Sequence, residues 1–293
     1  MRSAFMTVAD YLYSLGVNRS NIRLAAYLDF LSSIDSDEPM SMTAERGSRL
    51  WREIYEIMWV AMVFRDNKVE PPRELIVKAL NGKPLEEYDN DLGRSTFLEL
   101  RAAIYLLKAG YAISLGQDCD LIGIKRKERL FVECKRLYSE KKARERVREC
   151  YRQLERRLHA ADSSFKNRAI GWVDPSPAIQ ARFSVYMGYA EHTVRRAVQS
   201  DLVYFWEKWI SKAYEGKERR IYALVLQAVW CGWIPSGGGL RTGFSTYVVP
   251  SHGRVGILDL IRTRRLLDRI ITIENDELSQ FIKKERELDR EPA

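Results

Sequence analysis

The chain has 293 residues, 46% hydrophobic and 30% charged, with a formal net charge of +8. That composition is globular and excludes collagen-like, low-complexity and disordered chains. Four scattered cysteines and three histidines exclude a disulfide framework and a Cys- or His-rich metal knuckle, and no apolar stretch reaches the roughly 20 residues a spanning helix needs. Asp10 stands where a secretion signal would carry its apolar run, so a cytoplasmic protein with reduced thiols is expected.

Residues 1–90 read as helices. Thr7 and Asp10 fit a capping box opening a helix over 7–15, and 44–65 supports a long apolar-rich one. Pro71-Pro72 opens a short helix over 73–80, which Asn81-Gly82-Lys83-Pro84 stops. The acidic stretch 86–91 marks a boundary. It separates a helical N-terminal region (1–90) from a core (91–235), which a C-terminal extension (236–293) follows.

A helix is predicted over 95–109, ended by Gly110 in the left-handed conformation. On its wheel Arg94, Arg101 and Lys108 form one stripe, taken as the solvent side, and Glu99 falls opposite them. Short strands follow at 111–115, 120–124 and 130–134, the last two joined by the charged tip 125–128. Ser139 suits the cap of a helix reaching about residue 160, in which Ala143, Val147, Cys150, Tyr151, Leu154 and Leu158 keep helical spacing. A strand at 169–173, a helix over 191–213 and a very apolar strand at 221–229 complete the order α-β-β-β-α-β-α-β. The expected class is α/β, a mixed central sheet flanked by helices. Gly237-Gly238-Gly239 reads as a linker or lid, and 257–287 as a charged helix.

The residues that carry chemistry fall between these strands. Glu133 and Lys135 lie two apart and so share a strand face. Asp120 opens the preceding strand, and the short hairpin brings its side chain beside Glu133. Two carboxylates next to an ammonium suit a hard divalent cation whose remaining positions hold water and phosphate oxygens. The lysine can orient or deprotonate a bound water, or neutralise charge growing on phosphorus. Asp118 shares the strand face of Asp120 and is the alternative ligand. Glu99 faces protein and needs compensation there; its competing explanation is a capping box with Thr96. For Glu133 and Lys135 the competing explanation is a solvated ion pair.

Between residues 125 and 157, fourteen Lys and Arg stand against six Asp and Glu, a surplus of eight that equals the surplus of the whole chain. Charge concentrated in this way attracts a polyanion, although a charge run is also the signature of a solvated helix face. Lys125, Arg126, Lys127, Arg136, Lys141, Lys142, Arg146 and Gln153 are the expected nucleic-acid contacts.

Glu99, Asp120-Leu-Ile and Val-Glu133-Cys-Lys135-Arg136, in that order and followed by a basic amphipathic helix, resemble the PD-(D/E)XK nuclease superfamily over about residues 94–230. The resemblance implies a restriction-endonuclease-like αβββαβ core and a Mg²⁺-dependent nuclease, with Mn²⁺ substituting. Nucleic acid, DNA foremost, would be cut, and endonucleolytic cleavage is the expected mode. It also implies Glu99, Asp120, Glu133 and Lys135 as catalytic residues. Asp120, Glu133, the Cys134 backbone carbonyl and, through water, Glu99 would hold the metal. Because members often pair, a homodimer is an implied state. Two positions depart from the pattern. Cys119 precedes Asp120 where proline is common, and Gln153 is followed four residues on by Arg157 rather than the tyrosine of some branches. The rival expectation is a nuclease-like fold that only binds nucleic acid or a partner protein.

Overall fold

The structure is a computed structural model, and it describes residues 1–34, 44–82, 92–115, 119–180, 185–213, 218–237 and 239–250. The chain divides into two compact units at Phe97/Leu98.

The first unit is helical: α1 (Arg2–Ser14), α2 (Ile22–Ile34), α3 (Ala44–Asp66), α4 (Arg73–Leu80) and the first turns of α5 (Leu92–Lys108). α3 is buried without a break from Ile57 to Phe64, so it is the centre of this unit rather than a one-sided surface helix. α1 starts at Arg2, ahead of the expected 7–15, because Ala4 and Phe5 belong to its buried face. Thr7 is an interior residue bonded back to the Ser3 carbonyl and does not cap the helix. Within the unit Glu53 accepts from Arg94 Nε at 2.8 Å, from Arg23 Nη2 at 3.3 Å and from the Tyr27 hydroxyl. Burial alone would raise the Glu53 carboxyl, but the Arg23 and Arg94 guanidiniums hold it at about 2.

The second unit is α/β. After α5 come β1 (Ala112–Leu115), β2 (Leu121–Lys125), β3 (Glu128–Arg136), α6 (Glu140–Ala160), β4 (Lys166–Asp174), α7 (Ser176–Gln180), β5 (Tyr186–Met187), α8 (Glu191–Phe205), β6 (Ile221–Ile234) and β7 (Gly239–Pro250). The chain continues from α8 through a π-helical turn, Trp206–Ile210. The sheet is mixed. β1, β2 and β3 form an antiparallel meander, and β3–β4 and β4–β6 are parallel. β6 takes β4 and the short β5 along one edge and antiparallel β7 along the other. α6 and α8 cover one face of the sheet, joined by Val147, Cys150, Leu154, Val198 and Leu202 to Phe131, Val173 and Leu226. α5 covers the other face, with Tyr105 against Trp172 at 5.3 Å and Leu106 over Gly123. The predicted α/β class with a mixed, helix-flanked sheet is what the structure shows.

Three expectations are corrected. Arg101 and Arg94 are 0% and 5% exposed, so their stripe is not a solvent face. Each guanidinium is buried because a carboxylate meets it: Glu53 for Arg94, and Asp174 for Arg101. Because α5 begins at Leu92, Thr96 is a buried interior residue, and the capping box with Glu99 does not form. In its described part the glycine run is no linker: Gly237 ends the turn after β6 and Gly239 opens β7, which pairs antiparallel with β6. The acidic stretch 86–91, Asp118 and the helix expected over 257–287 lie outside the described residues.

Two backbone features place the site. Gly171 pairs Glu133, and a Cβ there would sit 2.6 Å from Leu224 Cδ1 and 3.1 Å from Cys150 Sγ, so its bareness lets α6 close over β3 and β4. At the β2–β3 turn Lys125 pairs Glu128, which leaves Arg126 at φ +55° on the tip. A non-glycine residue held there costs about 1 kcal/mol.

Candidate functional site

β2 stops at Leu121, opposite Val132, while β3 runs on to Arg136. Side chains occupy the rungs that β2 leaves vacant. The Cys119 thiol donates to the Val132 carbonyl at 3.0 Å and lies 3.8 Å from Glu133 Oε2. Asp120 Oδ2 accepts from the Cys134 N–H at 2.8 Å. Asp120 and Glu133 thereby come within hydrogen-bonding reach of each other, and Glu133 Oε1 accepts from Lys135 Nζ at 2.8 Å. Asp120, Glu133 and Lys135, distant in the chain, meet at one end of one strand.

Glu133 is 4% exposed. Burial first, and then the Asp120 charge, raise its carboxyl above the usual range, with Lys135 offsetting part of the rise. Burial alone would depress the Lys135 ammonium, yet its hydrogen bond to Glu133 and the charges of Glu133 and Asp120 hold it above the ordinary lysine value. Lys135 is therefore a cation at neutral pH. That favours orienting water and neutralising charge over taking a proton. Burial pushes the Cys119 thiol up to about 12, and Glu133 adds to the rise. Cys134 and Cys150 are raised well above the ordinary thiol value, again by burial first and then by the carboxylates. All three thiols stay protonated and unreactive. Glu99 is half-buried on α5, and its charge acts on the Cys134 thiol together with those of Asp120 and Glu133.

Among the described residues, no group of three or more His, Cys, Asp and Glu side chains is arranged to hold a metal. The donor set is two carboxylates, Asp120 and Glu133. Neighbouring N–H and C=O groups of one strand residue point to the same edge, so the Cys134 carbonyl faces the edge where Asp120 takes the Cys134 N–H. Two hard carboxylates and a carbonyl suit Mg²⁺, which is held by one or two carboxylates and keeps its waters. Asp120 and the buried Glu133 bring two acidic groups together with one ammonium for relief. A divalent cation fits that imbalance.

The expected nucleic-acid contacts are dispersed. Lys125 is spent on the Ala109 carbonyl at the end of α5 and on the Tyr111 ring, 5.5 Å away. Arg136 is spent on Asp174, 2.8 Å from a carboxylate that is 0% exposed. Both cations satisfy groups inside the fold. Lys141 and Lys142 are exposed at the start of α6, just past the Lys135 end of β3, and Arg146 pairs Glu149 at 3.1 Å one turn on. Gln153 is half-buried, and its Oε1 has no hydrogen-bond partner among the described residues. Arg126 and Lys127 are exposed at the far end of β3, eight strand residues or roughly 25 Å from Lys135. A groove of about 770 Å³ runs along the outer face of α6. Glu145, Glu149 and Glu155 alternate there with Arg146, Arg152 and Arg156, and neither Asp120 nor Glu133 lines it.

One buried network was not foreseen. Asp174 accepts from Arg101 at 3.1 Å, from Arg136 Nε at 2.9 Å and from the Ser176 N–H at 2.9 Å, while Ser176 Oγ accepts from the Val229 N–H at 2.8 Å. Burial would raise this carboxyl, but Arg136 and Arg101 hold it at about 2. Its one sequence signal, Asp174-Pro175-Ser176, also reads as a simple strand stop. Trp172 and Tyr186 are buried and offer no face to a base, whereas Tyr189 is 88% exposed.

The sequence matches no family model and no curated protein, and the fold matches no solved structure. No helix among the described residues is long and apolar enough to cross a membrane.

Proposed function

We propose that the chain is a metal-dependent nuclease of the PD-(D/E)XK kind, with a restriction-endonuclease-like core, hydrolysing phosphodiester bonds in nucleic acid, most naturally DNA. One observation carries the reading: Asp120 and Glu133 converge beside Lys135 where β2 ends and β3 continues. Asp120, Glu133 and the Cys134 carbonyl would hold Mg²⁺ or Mn²⁺, with Glu99 supporting from α5. The cation would polarise the phosphodiester and lower the pKa of a bound water. Lys135, kept charged by Glu133, orients the attacking water and offsets negative charge at phosphorus. Lys141 and Lys142 lie at the same end of the strand to hold phosphates without reading sequence.

A specific observation favours a second reading, nucleic-acid binding without hydrolysis: among the described residues no three His, Cys, Asp or Glu side chains are grouped to hold a metal. Plasmid degradation separates the two. The nuclease reading expects Mg²⁺-dependent cleavage that EDTA stops. It also expects Lys135→Ala to lose at least about a hundredfold in rate with binding retained. Wild-type protein that leaves plasmid intact in Mg²⁺ and Mn²⁺, or Lys135→Ala that cuts at the wild-type rate, removes the enzymatic assignment.

A further inference from the structure

We infer that the β2–β3 hairpin tip is a second nucleic-acid contact, a phosphate-backbone anchor made of Arg126, Lys127, Lys166 and Arg219 and set roughly 20 Å from the carboxylate pair. It rests on the nucleic-acid reading above and specifies how far the substrate extends.

The four residues come from three places that the backbone ties together. The Lys166 N–H donates to the Lys127 carbonyl at 2.7 Å, and the Ala169 N–H donates to the Arg220 carbonyl at 2.9 Å. The tip, the start of β4 and the turn before β6 therefore lie side by side. All four side chains are exposed, and none makes an ion pair with a described residue. The nearby acids are occupied. Glu128 accepts from the Tyr111 hydroxyl at 3.2 Å, Asp162 from Ser164 Oγ at 2.6 Å and Glu218 from Arg220 at 2.8 Å. Glu128 and Asp162 keep their charge, since neutral hydroxyls donate to them, but Arg126, Lys127, Arg129, Lys166, Arg168, Arg219 and Arg220 outnumber these three acids, so the end of the sheet keeps a net positive charge.

Arg126 adds an independent argument. It sits at φ +55°, where glycine or asparagine is comfortable and arginine is strained. Its side chain touches nothing that would repay that strain inside the described fold. A strained residue whose only asset points outward is accounted for by a ligand. The ligand chemistry is a row of phosphates: the groups are flexible cations with no aromatic or amide partner arranged to read a base. With one phosphate of each strand per about 3.4 Å of duplex axis, the anchor lies about six base pairs from the scissile bond.

The test is binding of a labelled duplex of about 20 base pairs, followed by fluorescence anisotropy in EDTA over a salt series. Arg126→Gly is expected to raise Kd several-fold and to flatten the log Kd against log salt slope by about 0.9. The same change should raise Tm by about 2 °C, because the strain is relieved. Lys166→Glu and Arg219→Glu should weaken binding without the gain in Tm. Wild-type Kd and slope in Arg126→Gly overturn the anchor, whatever Tm does. Equal affinity of wild-type protein for polyglutamate also overturns it, in favour of an acidic protein partner. A chain that holds DNA through the tip but never cuts loses only the enzymatic reading. A chain that cuts while its tip variants bind normally loses only the anchor.

Discussion

Cys119 does for β3 what one more residue of β2 would have done. Its S–H reaches the Val132 carbonyl, and the next residue, Asp120, takes the Cys134 N–H, so the ladder is continued by side chains. The carboxylate is thereby aimed at Glu133 instead of leaving with the chain. Cys119→Ala leaves a buried carbonyl without its donor, at about 1–3 kcal/mol, and loosens Asp120. Hydrogen exchange at the Cys134 amide should then quicken about tenfold, while Cys119→Ser, which keeps a donor, stays near wild type. Unchanged exchange in the alanine variant would show that Asp120 is held by other means. Strand alternation made Glu133 and Lys135 legible as a pair, since residues two apart must share a face. Cys119 was not legible, because its role depends on where β2 stops. Arg101 was misjudged for a related reason: a helical wheel counts guanidinium as a mark of solvent. Here the deciding fact is Asp174, a carboxylate supplied from 73 residues away.

At the scale of elements, the site depends on how closely α6 lies over β3 and β4. The apolar spacing that predicts α6 is the spacing that packs, from Ala143 to Leu158, and its boundaries fall at Glu140 and Ala160. The closeness comes from Gly171, whose missing side chain leaves room for Cys150 and Leu224. Gly171→Ala should cost about 1–3 kcal/mol, since both neighbours are 0% exposed and must shift within a packed core. Urea unfolding should show a lower midpoint at constant m-value, and an unchanged midpoint would mean that α6 has slack. β7 escaped sequence reading because three successive glycines look like flexible chain, whereas the course of β7 is decided by its pairing with the long strand before it. β5 and α7 are too short for any periodicity to register. The class and order of the large elements were legible, but the edge of the sheet was not.

Across the whole molecule, two buried acids and one site acid respond to pH with opposite signs. Asp174 and Glu53, each in its own unit, are held at about 2, below their ordinary 3.8 and 4.5. Their contributions, about 2–3 kcal/mol each, are complete above those ordinary values and disappear as pH falls toward 2. Glu133 is raised, so the folded protein binds its proton more tightly than the unfolded chain does. Stability is therefore lost as pH climbs from the ordinary glutamate value through the folded one. A divalent cation between Asp120 and Glu133 would favour the ionised Glu133 carboxylate and so offset that loss. The expected result is a Tm profile in EDTA that falls on the acid side and also sags above the Glu133 titration. Added Mg²⁺ should raise Tm more at pH 8 than at pH 5, with protons released on binding in a weakly buffered titration. Equal Mg²⁺ effects at the two pH values, with no proton release, would mean that the carboxylate pair does not take the ion, and Asp120→Asn should then leave the Mg²⁺ response of wild-type protein unchanged.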